Sequence, residues 1–222
     1  TEGITKSILQ GLDAKILEVY VVSPLSWGIH VPAKGDIKKP EDVEEQTFAI
    51  SRFGSGSHLM AYVMADQYNW KLEGLKFNVI GDVYGGLWAL EHNEAQAFLW
   101  EKYTTSPAVA QGALVRSGEL PSPWPCFVWV ASPQALENCG KGLFQVRDAV
   151  YAISEALVKQ PDLVEQLAKE YQLSPVLVSE WRAQTTWCTQ ATLSPDSLAE
   201  VIEQVGNLGI IENPLRPEDV ML

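Results

Sequence analysis

Cysteine is scarce in this chain, and so is histidine: Cys126, Cys139 and Cys188, and His30, His58 and His92, are all there are in 222 residues. The cysteines are odd in number and widely spaced, with no Cys-x-x-Cys pair. Neither a disulfide framework nor a zinc site is indicated, and no metal or other cofactor is expected. Basic residues are also few, 16 Lys and Arg against 28 Asp and Glu, for a formal net charge of −12. Phosphate and anionic lipid reward clusters of Lys and Arg, so nucleic acid and an anionic membrane are excluded as partners. No run approaches the roughly 20 apolar residues that a bilayer span needs. The start Thr1-Glu2-Gly3 has neither a basic n-region nor an apolar h-region, so any targeting segment is expected to have been removed or left out. What the chain does have is 46% hydrophobic residues, enough for one large domain or two small ones, and eight tryptophans.

The first part of the chain reads as a short helix over 4–10, a strand over 15–22, an extended run over 26–31 closed by Pro32, and a short helix after Lys39-Pro40. A regular alternation follows: strand 47–51 and helix 56–69, strand 75–80 and helix 84–92, strand 95–100 and helix 104–110, then an extended segment 113–117. Alternation at this spacing predicts right-handed crossovers and a mostly parallel sheet. Gly118 to Pro125, with prolines at 121, 123 and 125, breaks the pattern before a strand over 126–131. Beyond it the chain reads as helical over 133–138, 142–158, 161–171, 174–186 and 195–205, with Gly206 and Gly209 near the last stop. The change of character near 120–132 marks a domain crossing. Leu143, Val146, Val150, Ile153 and Leu157 recur three and four apart, which predicts a buried helical stripe. Ser174-Pro175 and Ser194-Pro195 each place a capping hydroxyl before a first-turn proline and read as helix starts.

The stretch Ser51-Arg52-Phe53-Gly54-Ser55-Gly56-Ser57-His58 joins an apolar run to a helical pattern. A strand that turns through small residues into a helix leaves backbone N–H groups without partners, backed by the helix dipole. Either Ser55 or Ser57 serves as N-cap, leaving the other hydroxyl to face a ligand. Such turns in open α/β sheets sit at the carboxyl ends of strands, where ligands bind, and Leu99-Trp100-Glu101 falls at another such end. Ser55, Gly56, Ser57 and His58 are the first candidate contacts, with His58 neutral because the helix start disfavours its charged form. Trp100 offers an indole for stacking and Glu101 a carboxylate for an amine or amidine. The competing readings are a core contact for Trp100 and a salt bridge for Glu101. Cys126 precedes the apolar run Phe127-Val128-Trp129-Val130, where burial raises a thiol pKa, so it reads as an inert residue lining a cleft rather than a nucleophile.

Several segments together resemble one family: Thr1-Glu2-Gly3-Ile4, Ser23 to His30 (Ser-Pro-Leu-Ser-Trp-Gly-Ile-His), Ser51 to His58, Phe98-Leu99-Trp100-Glu101-Lys102, and Pro123-Trp124-Pro125-Cys126-Phe127. In this order they resemble the substrate-binding proteins of ABC importers for alkanesulfonates, taurine, nitrate or thiamine precursors, in a branch related to thiamine-pyrimidine synthases. The resemblance implies an α/β, type II periplasmic-binding-protein-like fold of two lobes with mostly parallel sheets that close over a small ligand. It places the second lobe at 27–122 and leaves 1–26 and 123–222 to a first lobe that is incomplete, because family members carry a further upstream segment. It adds Glu2, Trp27 and Trp124 to the candidate contacts, the two tryptophans on segments that cross between lobes.

The expected function is binding of a small polar or heterocyclic solute, without catalysis, as the receptor of an ABC uptake system whose membrane subunits are the downstream partner. The rival is a thiamine-pyrimidine-synthase-type enzyme, which the resemblance pairs with a cysteine-rich iron-binding segment that has no counterpart here. A third reading is a truncated chain that acts only in assembly. An incomplete first lobe exposes apolar faces, so a homodimer or a complementing N-terminal chain is expected to cover them. The compartment is periplasmic or secreted for a bacterial protein and cytoplasmic for one of the fungal type.

Overall fold

The computed structural model describes residues 1–207 and 216–222, so Gly209 lies outside the described residues. The chain divides into two compact units, one made of Thr1–Pro24 and Pro123–Leu222, the other of Leu25–Ser122.

The Leu25–Ser122 unit holds β2 (Ser26–Pro32), β3 (Thr47–Ile50), α2 (Gly56–Gln67), β4 (Lys76–Val79), α3 (Val83–Glu91), β5 (Ala97–Glu101), α4 (Lys102–Ala110) and β6 (Leu114–Pro121). Its five strands lie in the order β4-β3-β5-β2-β6. The crossovers through α2 and α3 make β3 parallel to β4 and to β5, as the alternation predicts. The expectation of a mostly parallel sheet ends there, because β2 runs antiparallel to both β5 and β6. The chain enters and leaves this unit at one point: Ser122 N–H donates to Leu25 O and Leu25 N–H to Ser122 Oγ, both at 3.0 Å. The first and last strands therefore run in opposite directions. Strand β6 also reaches further than the sequence indicates, taking in Gly118 to Pro121.

Helix α3 lies close to its sheet because it carries two glycines on that side. A Cβ on Gly85 would stand 2.1 Å from Ile80 O, and one on Gly86 2.3 Å from the Phe98 ring. Asp82 caps the helix, its Oδ1 accepting from Gly85 N–H at 2.9 Å. Phe98 then joins Ala49, Ala89, Leu90, Ala95 and Leu114 in one buried cluster.

The other unit holds α1 (Glu2–Leu9), β1 (Lys15–Val21), β7 (Phe127–Ala131), α5 (Pro133–Cys139), α6 (Lys141–Leu157), α7 (Leu163–Tyr171), α8 (Pro175–Gln184), α9 (Pro195–Asn207) and α10 (Pro217–Val220). Its sheet is the antiparallel pair β1-β7. Ser174 and Ser194 cap α8 and α9 as read, accepting from Leu177 N–H at 3.2 Å and Ser197 N–H at 3.1 Å. Glu18 is buried on β1, and its Oε1 accepts from the N–H groups of Val19, Thr192 and Leu193, which ties the chain before α9 to the sheet.

The predicted core stripe of α6 is not core. Val146 and Ile153 are 57% and 63% exposed, and Leu143, Val150 and Leu157 only half-buried. The helix is held instead through Tyr151, whose hydroxyl donates to Val19 O, and Arg147, which lies 3.9 Å from Glu18. At about 100° per residue the aliphatic stripe stands roughly a quarter turn from that polar and aromatic face.

Candidate functional site

The loop from β3 into α2 supplies the first group of candidates. Ser55 is the N-cap, extended at φ −76° and ψ 167°, and its Oγ accepts from His58 N–H. Gly54 takes the left-handed conformation, φ 78°, that lets the loop turn back on the helix. Ser57 does not point its hydroxyl outward as one of the sequence alternatives required. It is buried, its Oγ accepting from Ser51 N–H at 3.0 Å and lying 3.0 Å from Ser55 Oγ. His58 is buried too, with Nδ1 accepting from Gly54 N–H at 3.0 Å and the ring packed edge-on to Phe53, Tyr62 and Phe77. These three side chains therefore build the loop. The amides of Gly56 and Ser57 have no partner among the described residues, as the first turn of a helix dictates.

Trp100 and Glu101 are consecutive on β5, and alternation sends them to opposite faces. Trp100 is half-buried and stacks on Phe98 at 5.2 Å. Glu101 serves as the N-cap of α4: one oxygen accepts from Tyr103 N–H at 2.9 Å, the other from Thr104 N–H and Oγ1 at 2.7 Å. Neither the ligand contact nor the salt bridge read from the sequence accounts for those bonds. Trp27, paired with Glu101 across β2-β5, is buried.

In the other unit Glu2 opens α1 beside the chain entering β7. The amine of Thr1 lies 3.3 Å from Glu2 Oε2 and 3.0 Å from Cys126 O. Trp124 is 2% exposed. Cys126 is half-buried, and burial pushes its thiol up to about 12, so it carries no thiolate at neutral pH.

Sequence reasoning missed a polar network behind β2, β5 and β6. Lys102, buried at the start of α4, places Nζ 2.8 Å from Glu119 Oε2. Burial works against the ammonium, yet the hydrogen bond and charge of Glu119 hold its pKa above the usual lysine value. Arg116 donates through Nη2 to Lys102 O and to Ser106 Oγ, and its Nη1 stands 4.0 Å from Glu119 Oε1. Its Nε is buried without a partner. His30 is enclosed alongside, Nδ1 to Phe98 O and Nε2 to Thr105 Oγ1, with burial as the largest influence lowering its pKa to about 4. The missing side chain of Gly28 makes this possible, since a Cβ there would stand 2.5 Å from the His30 ring and 3.0 Å from Arg116 Nε. The available signal was slight: Arg116 in the extended segment 113–117, Glu119 as the one charge in the Gly118 to Pro125 break, and Lys102 after the strand end. Among the described residues no three His, Cys, Asp or Glu gather to hold a metal, and no helix is long and apolar enough to cross a membrane.

Residues 27–120, within the five-stranded unit, match the family model described as Ca3427-like PBP. The structure also superposes on the Candida albicans CA3427 gene product, described as exhibiting the generic periplasmic binding protein structural fold. The TM-score is 0.82 at 18% identity, over 96% of this chain and 72% of that one. The chain has the periplasmic-binding-protein fold. The same fold relates it to the alkanesulfonate-binding protein SsuA of Xanthomonas axonopodis pv. citri, bound to MOPS. That TM-score is 0.77 at 12% identity, over 97% of this chain and 76% of that one. It is shared as well by the desulfurization enzyme DszB, with a TM-score of 0.60 at 12% identity over 96% and 79%. Periplasmic-binding-protein folds thus include both receptors and an enzyme, and residue chemistry has to separate the two. No curated protein matches the chain in sequence.

Proposed function

We propose that this chain is a non-catalytic receptor for a small polar or heterocyclic solute, the binding component of an ABC uptake system. The observation that carries the reading is the pair of unpartnered amides, Gly56 and Ser57, at the head of a 12-residue helix. They stand at the carboxyl end of β3, the edge of a parallel β3-β5 pair where α/β folds bind ligands. Trp100 lies near the end of β5 at that same edge, where Glu101 caps α4. Receptors of this fold, SsuA among them, support the solute-binding part of the reading. The most nucleophilic side chain among the candidates is the Cys126 thiol, which at about 12 stays protonated, and that speaks against nucleophilic catalysis by this cysteine.

Membrane subunits of an importer are the proposed downstream partner, in the periplasm for a bacterial protein, while a fungal-type protein works in the cytoplasm. The exposed stripe of α6 supports a polypeptide partner for the Thr1–Pro24 and Pro123–Leu222 unit, a second copy or a complementing chain.

The test is calorimetric titration with sulfonates, pyrimidines and amines, paired with Gly56→Pro. Proline suits the first helical position, and Ser55 at ψ 167° already has the extended backbone that proline demands of its predecessor. The substitution removes one amide donor and keeps the helix. Affinity for the preferred compound drops about tenfold while the melting temperature holds. Unchanged affinity would move the ligand away from this helix. Silence of the wild-type chain across the panel would favour a role confined to assembly.

A further inference from the structure

Trp100, Gly28 and Glu119 form one row across β5, β2 and β6, because Gly28 is the register partner of both of the others. Residues directly opposite one another share a face of the sheet, so the indole and the Glu119 side chain project the same way, with their Cα atoms about 10 Å apart across two strand spacings. Gly28 contributes nothing between them, and the His30 ring and the Arg116 guanidinium fill that floor. Strands β5 and β6 both run antiparallel to β2 and so parallel to each other. Glu119 near the end of β6 therefore lies at the carboxyl edge that also carries Trp100 and the head of α4.

The two acidic residues of this edge are engaged differently. Both oxygens of Glu101 are occupied by three bonds from Tyr103 and Thr104, which fixes it as a helix cap. Glu119 is 47% exposed. Its Oε2 accepts from Lys102, but Oε1 has only Arg116 at 4.0 Å, beyond hydrogen-bond reach, and so keeps lone pairs without a hydrogen bond among the described residues. Lys102 and Arg116 both stand beside Glu119, while alternation puts Glu101 on the other face of the sheet. The open group of that arrangement is an acceptor, the Glu119 Oε1 oxygen.

We propose that Glu119, rather than Glu101, is the carboxylate that reads the ligand, and that it selects a nitrogen-borne N–H donor, an amine, amidine or amino-heterocycle, lying against the Trp100 indole. This rests on the receptor reading and names the ligand class for it. Lys102 and Arg116 act as positioning residues, holding the carboxylate from behind.

The experiment compares Glu119→Gln with Glu101→Gln, titrating each folded protein with an aminopyrimidine, an alkylamine and an alkanesulfonate that lacks nitrogen. Glutamine keeps the size of the side chain and an oxygen for Lys102 while removing the charge. Glu119→Gln weakens binding of the nitrogen compounds about tenfold and leaves the sulfonate unchanged. Glu101→Gln lowers the melting temperature and leaves every affinity within about twofold. Equal affinities for wild type and Glu119→Gln would overturn the proposal while leaving the receptor reading standing. So would a tenfold gain of sulfonate affinity in Glu119→Gln, because an anion would then be the natural guest of Lys102. Failure of wild type to bind any of the three would sink the receptor reading and this assignment with it.

Discussion

His30 shows how much of this site is decided by single side chains that a ligand never meets. Phe98 O can only accept, so Nδ1 carries the proton of the neutral ring and Nε2 accepts from the Thr105 hydroxyl. Burial first, and the Arg116 charge in addition, keep the imidazole from protonating until about pH 4. Above pH 6.5 the ring is neutral in the folded and the unfolded chain, and it contributes no pH dependence. Between 6.5 and about 4 the unfolded chain binds a proton that the folded one refuses, so stability falls as the pH drops. Integrated over that window the loss reaches at most ~3 kcal/mol. Denaturant unfolding at pH 7 and pH 4.5 checks it. His30→Gln, which cannot titrate, loses less stability between the two pH values than wild type, and equal losses would assign the acid sensitivity to other groups.

At the scale of elements, the strand and helix spans read from the sequence lie within a few residues of those observed, because each is punctuated by glycine, proline or a capping residue. What was not legible follows from the nature of the signals. Periodicity carries no direction, so the reversal of β2 stayed hidden although the strand itself did not. Glu101 was recognised as sitting at a strand end, but glutamate is an uncommon cap and its role emerges only once Tyr103 and Thr104 are seen to donate to it. The α6 stripe was correctly apolar, and periodicity cannot report what stands opposite it. The glycines of α3 make a sharper point. Gly86→Ala drives a methyl group into the Phe98 ring and costs about 1–3 kcal/mol, with a lower melting temperature. Gly142→Ala near the start of α6 meets no atom within 4 Å and stabilises by about 0.5–1 kcal/mol. Thermal unfolding of the two variants distinguishes close packing from helix propensity, since propensity alone would stabilise both.

For the molecule as a whole, a net charge of −12 coexists with a helix whose aliphatic side faces solvent. The two-stranded sheet beside it exposes apolar residues as well, Phe127 at 51% and Val130. Among the described residues β7 pairs with β1 alone, and such an edge presents unpaired backbone groups. Charge keeps like molecules apart, and apolar area draws them together. The balance is measurable with a neutral environment-sensitive dye, because an anionic one would be repelled by the same charge. The wild-type chain of 24.5 kDa is expected to bind the dye when dilute and to lose that binding as its mass rises towards twice that value at higher concentration. Replacing Val146 and Ile153 together by glutamate reduces dye fluorescence by more than half and holds the protein at monomer mass. Both side chains are exposed, so the melting temperature stays within a few degrees of wild type. Dye binding unaffected by the double substitution would shift the exposed apolar surface to another part of the chain and leave α6 without a partner to explain.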